Sequence, residues 1–417
     1  MAAPIFVHAA DLHIGAPLQQ LGKGLKEDVR QQLRELAGKA LTNLVDLTIA
    51  RDAEFLLLAG DIYDRAEREA ASQFSFRTQI ERLAAAGIKV YITHGNHDPV
   101  SDDLVTLVKF PENYIKVFGP NQEEVVEHTL RDGSKVLIAG ISYWREDVTE
   151  NLVPRLSRVV NDYGTEDVRA VIGLLHTNVN SPDHDPYAPC VEADLRNSPM
   201  HYWALGHVHK RSINPMGDNR FWAYPGNLQG RFFKESGSKG ALVVPILARG
   251  VGTPEHVPCD VIRFEHLSID CSDLAFDNPD KEIAASCKFP DSGGRPIVAR
   301  ITLTGQSNVA LEKLEMMNEE EDILIGRLNG ILKAQLLGGG IDSVVYNVQP
   351  KIDFDSLRSE DTLLGDLLRA LDTADLVALY QEHLRGIDSQ IKVLPSDAEE
   401  IRANILSDLA PRLLKPT

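Results

Sequence analysis

Through about the first 245 residues, short and almost unbroken apolar runs alternate with segments whose apolar positions recur every three or four residues. The runs cover 5–9, 54–59, 88–93, 135–141, 170–175, 201–205, 221–224 and 240–246. Several are too continuously apolar for a strand with one wet face, so they read as strands covered on both sides. Between the early ones, 26–51 carries Leu33, Leu36, Ala37, Ala40, Leu41, Leu44 and Val45 at helical spacing, and 70–86 reads as a second helix stopped by Gly87. This alternation predicts a layered α/β fold. Gly and Pro punctuate 250–258, which reads as a linker with a domain boundary near it. Beyond it, 261–269 and 296–304 read as strands, 310–337 as a long amphipathic helix and 343–354 as another alternating segment. From 362 the pattern is helical, with helices over 362–384 and 396–414, the second opened by the capping box Ser396-Asp397-Ala398-Glu399. The expected organisation is an α/β domain over 1–250, a smaller α+β domain over 258–355 and a helical tail over 356–417.

Composition narrows the class. The 417 residues suffice for two or three domains, and 43% hydrophobic with 25% charged residues excludes collagen-like, disordered and membrane-embedded chains. No stretch approaches the roughly 18 apolar residues of a spanning helix, and Met1-Ala2-Ala3-Pro4 leads into a strand without a basic region or cleavage pattern. The expected location is the cytoplasm, away from membranes. Cys190, Cys259, Cys271 and Cys287 are too few for a disulfide framework and form no CxxC pair, so they read as buried thiols. A net charge of −18 argues against coating a polyanion with the whole surface, so any nucleic-acid contact must be local.

Five segments put metal-ligating side chains directly after predicted strands: Asp11-Leu12-His13, Gly60-Asp61-Ile62-Tyr63-Asp64, Gly95-Asn96-His97-Asp98, His176, and Gly206-His207-Val208-His209. Loops at the carboxyl ends of strands converge on one edge of an open sheet, so residues distant in sequence can share a site. Alone, each segment has an ordinary reading as a turn, a cap or a hydrogen-bonded histidine. Five in order, each at a strand end, point to a metal centre. Imidazole, carboxylate and one amide oxygen without thiolate suit manganese, iron or zinc in an open site better than a closed structural zinc. Seven candidate ligands exceed what one ion with an open position needs, whereas a carboxylate such as Asp61 can bridge two ions.

These segments, with Tyr224-Pro225-Gly226-Asn227 and Gln229-Gly230-Arg231, make the chain resemble the calcineurin-like metallophosphoesterases. Within them it is most similar to the SbcD-type DNA repair exonucleases, and in particular their YhaO-like branch. The resemblance covers the chain through about Gly240. It implies a layered metallophosphoesterase β-sandwich flanked by helices, with the smaller α+β unit as a capping domain. Asp11, His13, Asp61 and His209 would hold one ion, and Asp61, Asn96, His176 and His207 the other. His97 would be the catalytic acid and Asp98 its orienting partner, since a nearby carboxylate favours imidazolium. The ions would be two divalent cations, manganese first, with iron or zinc as the other choices. Two positions depart from the family pattern: His94 stands where an apolar residue or proline is expected and receives no role, and Phe232 stands where the branch has histidine.

Substrate choice must come from outside the metal core. From His207 to Lys239 six basic residues (Lys210, Arg211, Arg220, Arg231, Lys234, Lys239) face two acidic ones (Asp218, Glu235), a local excess that fits contact with DNA phosphates. By resemblance the chain would work as a homodimer with an SbcC-like coiled-coil ATPase. The tail, with 13 acidic and 8 basic residues over 351–417, is an unlikely DNA arm. Its Leu363, Leu364, Leu367, Leu368 and Leu371 would form an apolar docking face, or else pack within the chain. The alternative is a nucleotide or cyclic-nucleotide phosphodiesterase or a protein phosphatase of the same superfamily.

Overall fold

The computed structural model describes residues 3–16, 18, 24–64, 70–100, 113–180, 187–312, 321–351, 353–379 and 402. The first four strands are β1 (Ile5–Ala9), β2 (Phe55–Ala59), β3 (Lys89–Thr93) and β4 (Ile115–Val117), paired in parallel in that order. The chain then builds a second sheet from β5 (Glu124–Thr129), β6 (Lys135–Gly140), β7 (Val168–His176), β8 (Tyr202–Gly206), β9 (Ser212–Gly217) and β10 (Arg220–Tyr224). Its order is β5-β6-β7-β8-β10-β9, with β6, β7, β8 and β10 parallel and the edge strands antiparallel. Strands β11 (Gly240–Pro245) and β12 (Glu255–Pro258) return to the first sheet, completing β12-β11-β1-β2-β3-β4. A third sheet has the order β13-β14-β15, from Arg263–Asp270, Ile297–Thr304 and Gly340–Tyr346.

Alternation along buried strands assigns each side chain to one of three apolar layers. On the outer face of the first sheet, Val7, Leu56, Leu58, Val90 and Ile92 pack with Leu41, Leu44, Val45, Phe76, Ile80 and Leu83. The latter come from helices α2 (Lys39–Ala50) and α3 (Ala70–Ala85), which follow α1 (Glu27–Ala37). The intervening residues Phe6, Phe55, Leu57 and Tyr91 face the second sheet, meeting Val136, Ile138, Ile172, Tyr202 and Ala223. On the far side Leu137, Val171, Trp203 and Leu205 pack against α4 (Val153–Tyr163) and α5 (Glu192–Arg196) through Leu156, Val160 and Leu195. The result is helices, sheet, sheet, helices, as expected for the layered α/β class.

Two polar contacts cross the layer between the sheets. His8 Nδ1 meets the Tyr202 hydroxyl at 2.9 Å, and the Tyr91 hydroxyl meets His128 Nδ1 at 2.8 Å. Burial lowers His8 to about 3 and His128 to about 4, so both are neutral imidazoles in the folded protein near neutrality.

All eight early strands form within one or two residues of the expected bounds, and the helix predicted over 26–51 divides at Gly38 into α1 and α2. The segment 250–258 is not merely a linker: Glu255–Pro258 pairs antiparallel with β11, from Gly240↔Pro258 to Val243↔Glu255. Strands β4, β5 and β9 went unpredicted because they are short or alternate with half-buried polar residues at sheet edges.

Contact density divides the chain into one unit of 1–267, 288–300 and 329–343 and another of 268–287, 301–328 and 344–417. Helix α6 (Pro279–Ser286) lies in the second, as do α8 (Phe354–Ser359) and α9 (Leu363–Thr373), while α7 (Glu321–Leu336) precedes β15. Of the five tail leucines, Leu363 is 81% exposed, Leu368 is buried and the others are half-buried, so much of that face is packed within the chain. The predicted helix 396–414 lies outside the described residues. Among the described residues no helix is long and apolar enough to cross a membrane.

The buried histidines make acid stability a test of this packing. With folded values near 3 and 4 against 6.5 when unfolded, the unfolded chain binds protons that the folded one refuses as pH drops below 6.5. Stability is therefore expected to be full above pH 6.5 and to decline below it, each histidine contributing up to about 1.4 kcal/mol per pH unit. Urea unfolding between pH 7 and 5 should show a shallower decline in His128→Leu; an unchanged slope would contradict the assignment.

Candidate metal centre

Every predicted ligand leaves the carboxyl end of a parallel strand: β1, β2 and β3 of one sheet, β7 and β8 of the other. The first two loops are laced together by backbone, with Asp11 N–H donating to Gly60 C=O (3.1 Å), His13 to Asp61 (3.0 Å) and Ile14 to Ile62 (2.9 Å). Four of the candidate ligand residues take positive φ: Asp11 (50°), His13 (43°), Asp61 (50°) and His207 (102°). Such conformations cost about 1–3 kcal/mol each and persist where the surroundings over-determine them. Asp and His, which tolerate this region better than most residues, can occupy it while still supplying ligand atoms.

Glycine precedes three of the candidate ligands because the loops close on one imidazole. A Cβ at Gly95 would lie 2.3 Å from Asp61 Oδ1 and 2.8 Å from the His176 ring, and one at Gly206 would lie 1.8 Å from the Ala59 carbonyl oxygen. His176 itself is fully buried, its Nδ1–H donating to Ala59 C=O at 3.0 Å. That bond fixes the tautomer and turns Nε2 toward Asn96 Oδ1 (3.0 Å) and Asp61 Oδ2 (3.4 Å). Asp61 also lies 3.9 Å from His13 Nε2, so one carboxylate stands between His13 and His176.

The ligating atoms of Asp11, His13 and His209 lie within 4.8 Å of one another, as do those of Asp11, Asp61 and His176. His13 Nε2 and His209 Nε2 face each other at 3.2 Å. Burial, reinforced by the charges of Arg231 and neighbouring histidines, holds His13 well below the usual imidazole range, so it is neutral with one proton. Its Nδ1, buried and without a hydrogen-bond partner among the described residues, points toward Asp64 Oδ2 at 3.9 Å. One proton cannot serve both nitrogens; a cation between the Nε2 atoms would free it for Asp64. Burial and the adjacent Asp61 carboxylate also push Asp11 well above the usual carboxylate range, although it accepts the His207 N–H on both oxygens. Clustered carboxylates, lone pairs aimed inward and the absence of thiolate fit divalent cations. The His207 ring stands edge-on to His176 (5.3 Å) and Tyr187 (5.5 Å).

The expected pairing of Asp98 with His97 is replaced. Asp98 is fully buried and accepts from the backbone N–H of Ile62 and of Gly95, both at 2.8 Å, and from His94 Nδ1 at 2.9 Å. Burial opposes its ionisation, but the His94 charge and these hydrogen bonds hold it below the usual range. Asp98 thus ties the loops after β2 and β3 together, and His94, given no role from sequence, is its partner. Asp64 instead takes His97 Nδ1, at 2.9 Å. This bond raises the His97 imidazole against the opposing effect of burial, and its side chain remains 40% exposed at the rim.

Sequence reasoning also missed Glu235. It is buried and accepts from His209 Nδ1 (2.6 Å), the Asn227 amide (2.9 Å) and Arg231 N–H (2.7 Å). Burial works against its charge, yet the His209 bond and the nearby cations keep it below the usual range. Its signal was faint, one acid in a segment notable for its bases. Those bases divide: Lys210, Arg211 and Lys234 are exposed. Arg220 is spent on the carbonyls of Arg196, Ser198 and Met200, Lys239 Nζ donates to His209 C=O, and Arg231 turns into the centre.

Residues 5–211 match the calcineurin-like phosphoesterase family. The chain is 35% identical over 334 residues to the uncharacterized metallophosphoesterase YhaO of Bacillus subtilis (strain 168), spanning 76% of this chain and 78% of YhaO. It is 26% identical over 235 residues to the DNA double-strand break repair protein Mre11 of Methanococcus maripaludis, spanning 53% of this chain and just over half, 56%, of that protein. With the protein of the same name from Sulfurisphaera tokodaii the identity is 22% over 422 residues, or 94% and 100% of the two chains.

The two carboxylates should separate by experiment. Asp98→Ala leaves buried N–H groups unpaired and is expected to cost about 2–4 kcal/mol in urea unfolding. Asp64→Asn keeps an oxygen to accept from His97 while losing the charge beside Arg231, and is expected to cost about 1 kcal/mol or less. Equal losses in the two variants would contradict this division of roles.

Proposed function

The chain belongs to the calcineurin-like phosphoesterases, and from that premise we propose that it is a two-metal phosphodiesterase that cleaves DNA. As a member of the family it is a metal-dependent hydrolase of phosphate esters. The observation that carries the finer reading is the inward-facing ligand cluster with a carboxylate-held His97 at its exposed rim. Asp11, His13, Asp61 and His209 would hold one ion and Asp61, Asn96, His176 and His207 the other, with Asp61 shared. Bound there, two dications supply Lewis-acid stabilisation of phosphoryl charge and activate water for in-line attack.

The chain's own residues supply the rest. Asp64 holds the Nδ1 proton of His97, which leaves Nε2 to donate its proton to the departing ester oxygen. Glu235 and Ala59 C=O hold the Nδ1 protons of His209 and His176, keeping Nε2 of each directed inward. Lys210, Arg211 and Lys234, exposed near the site, would meet backbone phosphates of a strand. Similarity to proteins named for double-strand break repair favours DNA over small esters as the substrate. The same reading makes manganese the first choice of metal, a homodimer in the cytoplasm the working form, and a coiled-coil ATPase the partner. It gives 258–355 the role of cap and 356–417 that of docking segment.

End-labelled linear duplex and single-stranded DNA, with bis-p-nitrophenyl phosphate as a small-ester control, test the proposal. Manganese-dependent DNA cleavage is expected, falling at least about 100-fold in His97→Ala and in Asp61→Ala. Hydrolysis of the small ester with both DNAs intact would reject DNA as substrate of the isolated chain and favour a nucleotide or phosphoprotein.

A further inference from the structure

Arg231 enters the centre from the loop that follows β10, and its side chain is 11% exposed. One terminal nitrogen donates to Asp64 Oδ2 at 3.3 Å and the other to Glu235 Oε1 at 3.5 Å. Each of these carboxylates holds a different histidine. Asp64 Oδ1 takes His97 Nδ1 at 2.9 Å, and Glu235 Oε1 takes His209 Nδ1 at 2.6 Å. One guanidinium therefore joins the proton donor at the rim to a metal-facing imidazole in the interior. His13 lies inside this arc, its ring 4.9 Å from that of His97 and 5.1 Å from that of His209.

From this arrangement we infer that Arg231 is a positioning residue that sets His97 and His209 together, acting through Asp64 and Glu235. The inference rests on the proposal that the centre holds two divalent ions. Asp64 is half-buried and Glu235 buried, and each gives one contact to a histidine and one to the same guanidinium, so the arginine offsets both negative charges without displacing either histidine. A guanidinium stays charged at any working pH and presents paired donors in a fixed plane, so one side chain satisfies both carboxylates at once. A lysine ammonium supplies the charge without the fork. The Arg231 Nε–H is buried with no hydrogen-bond partner among the described residues. An arginine placed to grip a substrate phosphate would turn its fork to solvent; here the fork lies on the two carboxylates and Nε–H is buried. The backbone N–H of Arg231 bonds Glu235 Oε2 whatever the side chain, so substitution leaves the loop its own anchor.

The test uses the full chain stripped of metal and titrated with Mn(II) in a calorimeter, alongside steady-state hydrolysis of bis-p-nitrophenyl phosphate. Arg231→Met is expected to weaken one of the two manganese sites about 10- to 100-fold, as loss of outer support to a ligand histidine does, and to lower kcat with KM nearly unchanged. In a Glu235→Gln background the same substitution should weaken manganese little further, because both act on His209. Arg231→Lys should recover part of the manganese affinity but not kcat, and it decides the matter should the methionine variant fail to fold. Unchanged manganese affinity with a raised KM would overturn the inference in favour of substrate contact, and full additivity with Glu235→Gln would overturn it in favour of independent action. A wild-type chain that binds no manganese would overturn the two-metal reading and this inference together.

Discussion

Negative charge gathered where five strand ends converge is the constraint to which the rest of this centre answers. Asp11, Asp61, Asp98 and Glu235 are all buried within the reach of the same loops, and nothing but hydrogen bonds, cations or uptake of protons can make that tolerable. The chain deals with them unevenly. Asp98 is given three backbone N–H groups and a histidine, and Glu235 a histidine, an amide and a backbone N–H. Asp11 and Asp61 receive backbone N–H groups but also face each other and several imidazoles, which leaves a deficit of positive charge suited to divalent ions.

Holding that arrangement requires a rigid frame. The two six-stranded sheets, closed on both outer faces by helices and on their inner faces by each other, set the strand ends to which the loops are tied. The backbone bonds between the loops after β1 and β2, and the Asp98 clamp between those after β2 and β3, then hold ligand residues in left-handed conformations that an isolated loop would abandon. Strain and charge are thus borne by the same few residues, and packing of the apolar layers is what keeps both in place.

Beyond the candidate ligands lies a second tier: Asp64 and Glu235 bond the histidines, and Asn227 and Arg231 in turn bond those carboxylates. Such partners fix which ring nitrogen carries the proton, and with it which one is free to ligate or to donate. Here they also connect chemically distinct parts: the His97 imidazole at the rim and the His209 imidazole within belong to one hydrogen-bonded chain through Asp64, Arg231 and Glu235.

The layered α/β class and the positions of the polar side chains gathered at the strand ends were legible in the sequence because both are matters of local pattern. Continuous apolar runs mark strands buried on two faces, and a Gly-Asp, Gly-Asn-His-Asp or Gly-His-x-His after such a run marks a strand end that carries side chains able to ligate a metal. Edge strands such as β5 and β9, half-buried and partly polar, carry no such pattern. The tertiary structure alone decided which carboxylate serves which histidine. Asp98 is adjacent to His97 in sequence yet turns to His94 and Ile62, while Asp64, 33 positions away, takes the His97 ring, and Glu235 takes that of His209, 26 positions away. Side-chain pairing depends on where loops from separate strands point once the sheets have packed, and neighbouring residues in a tight turn point apart. The same physics hid Glu235 among basic residues and assigned Arg231 to the interior, since composition counts charges but does not direct them.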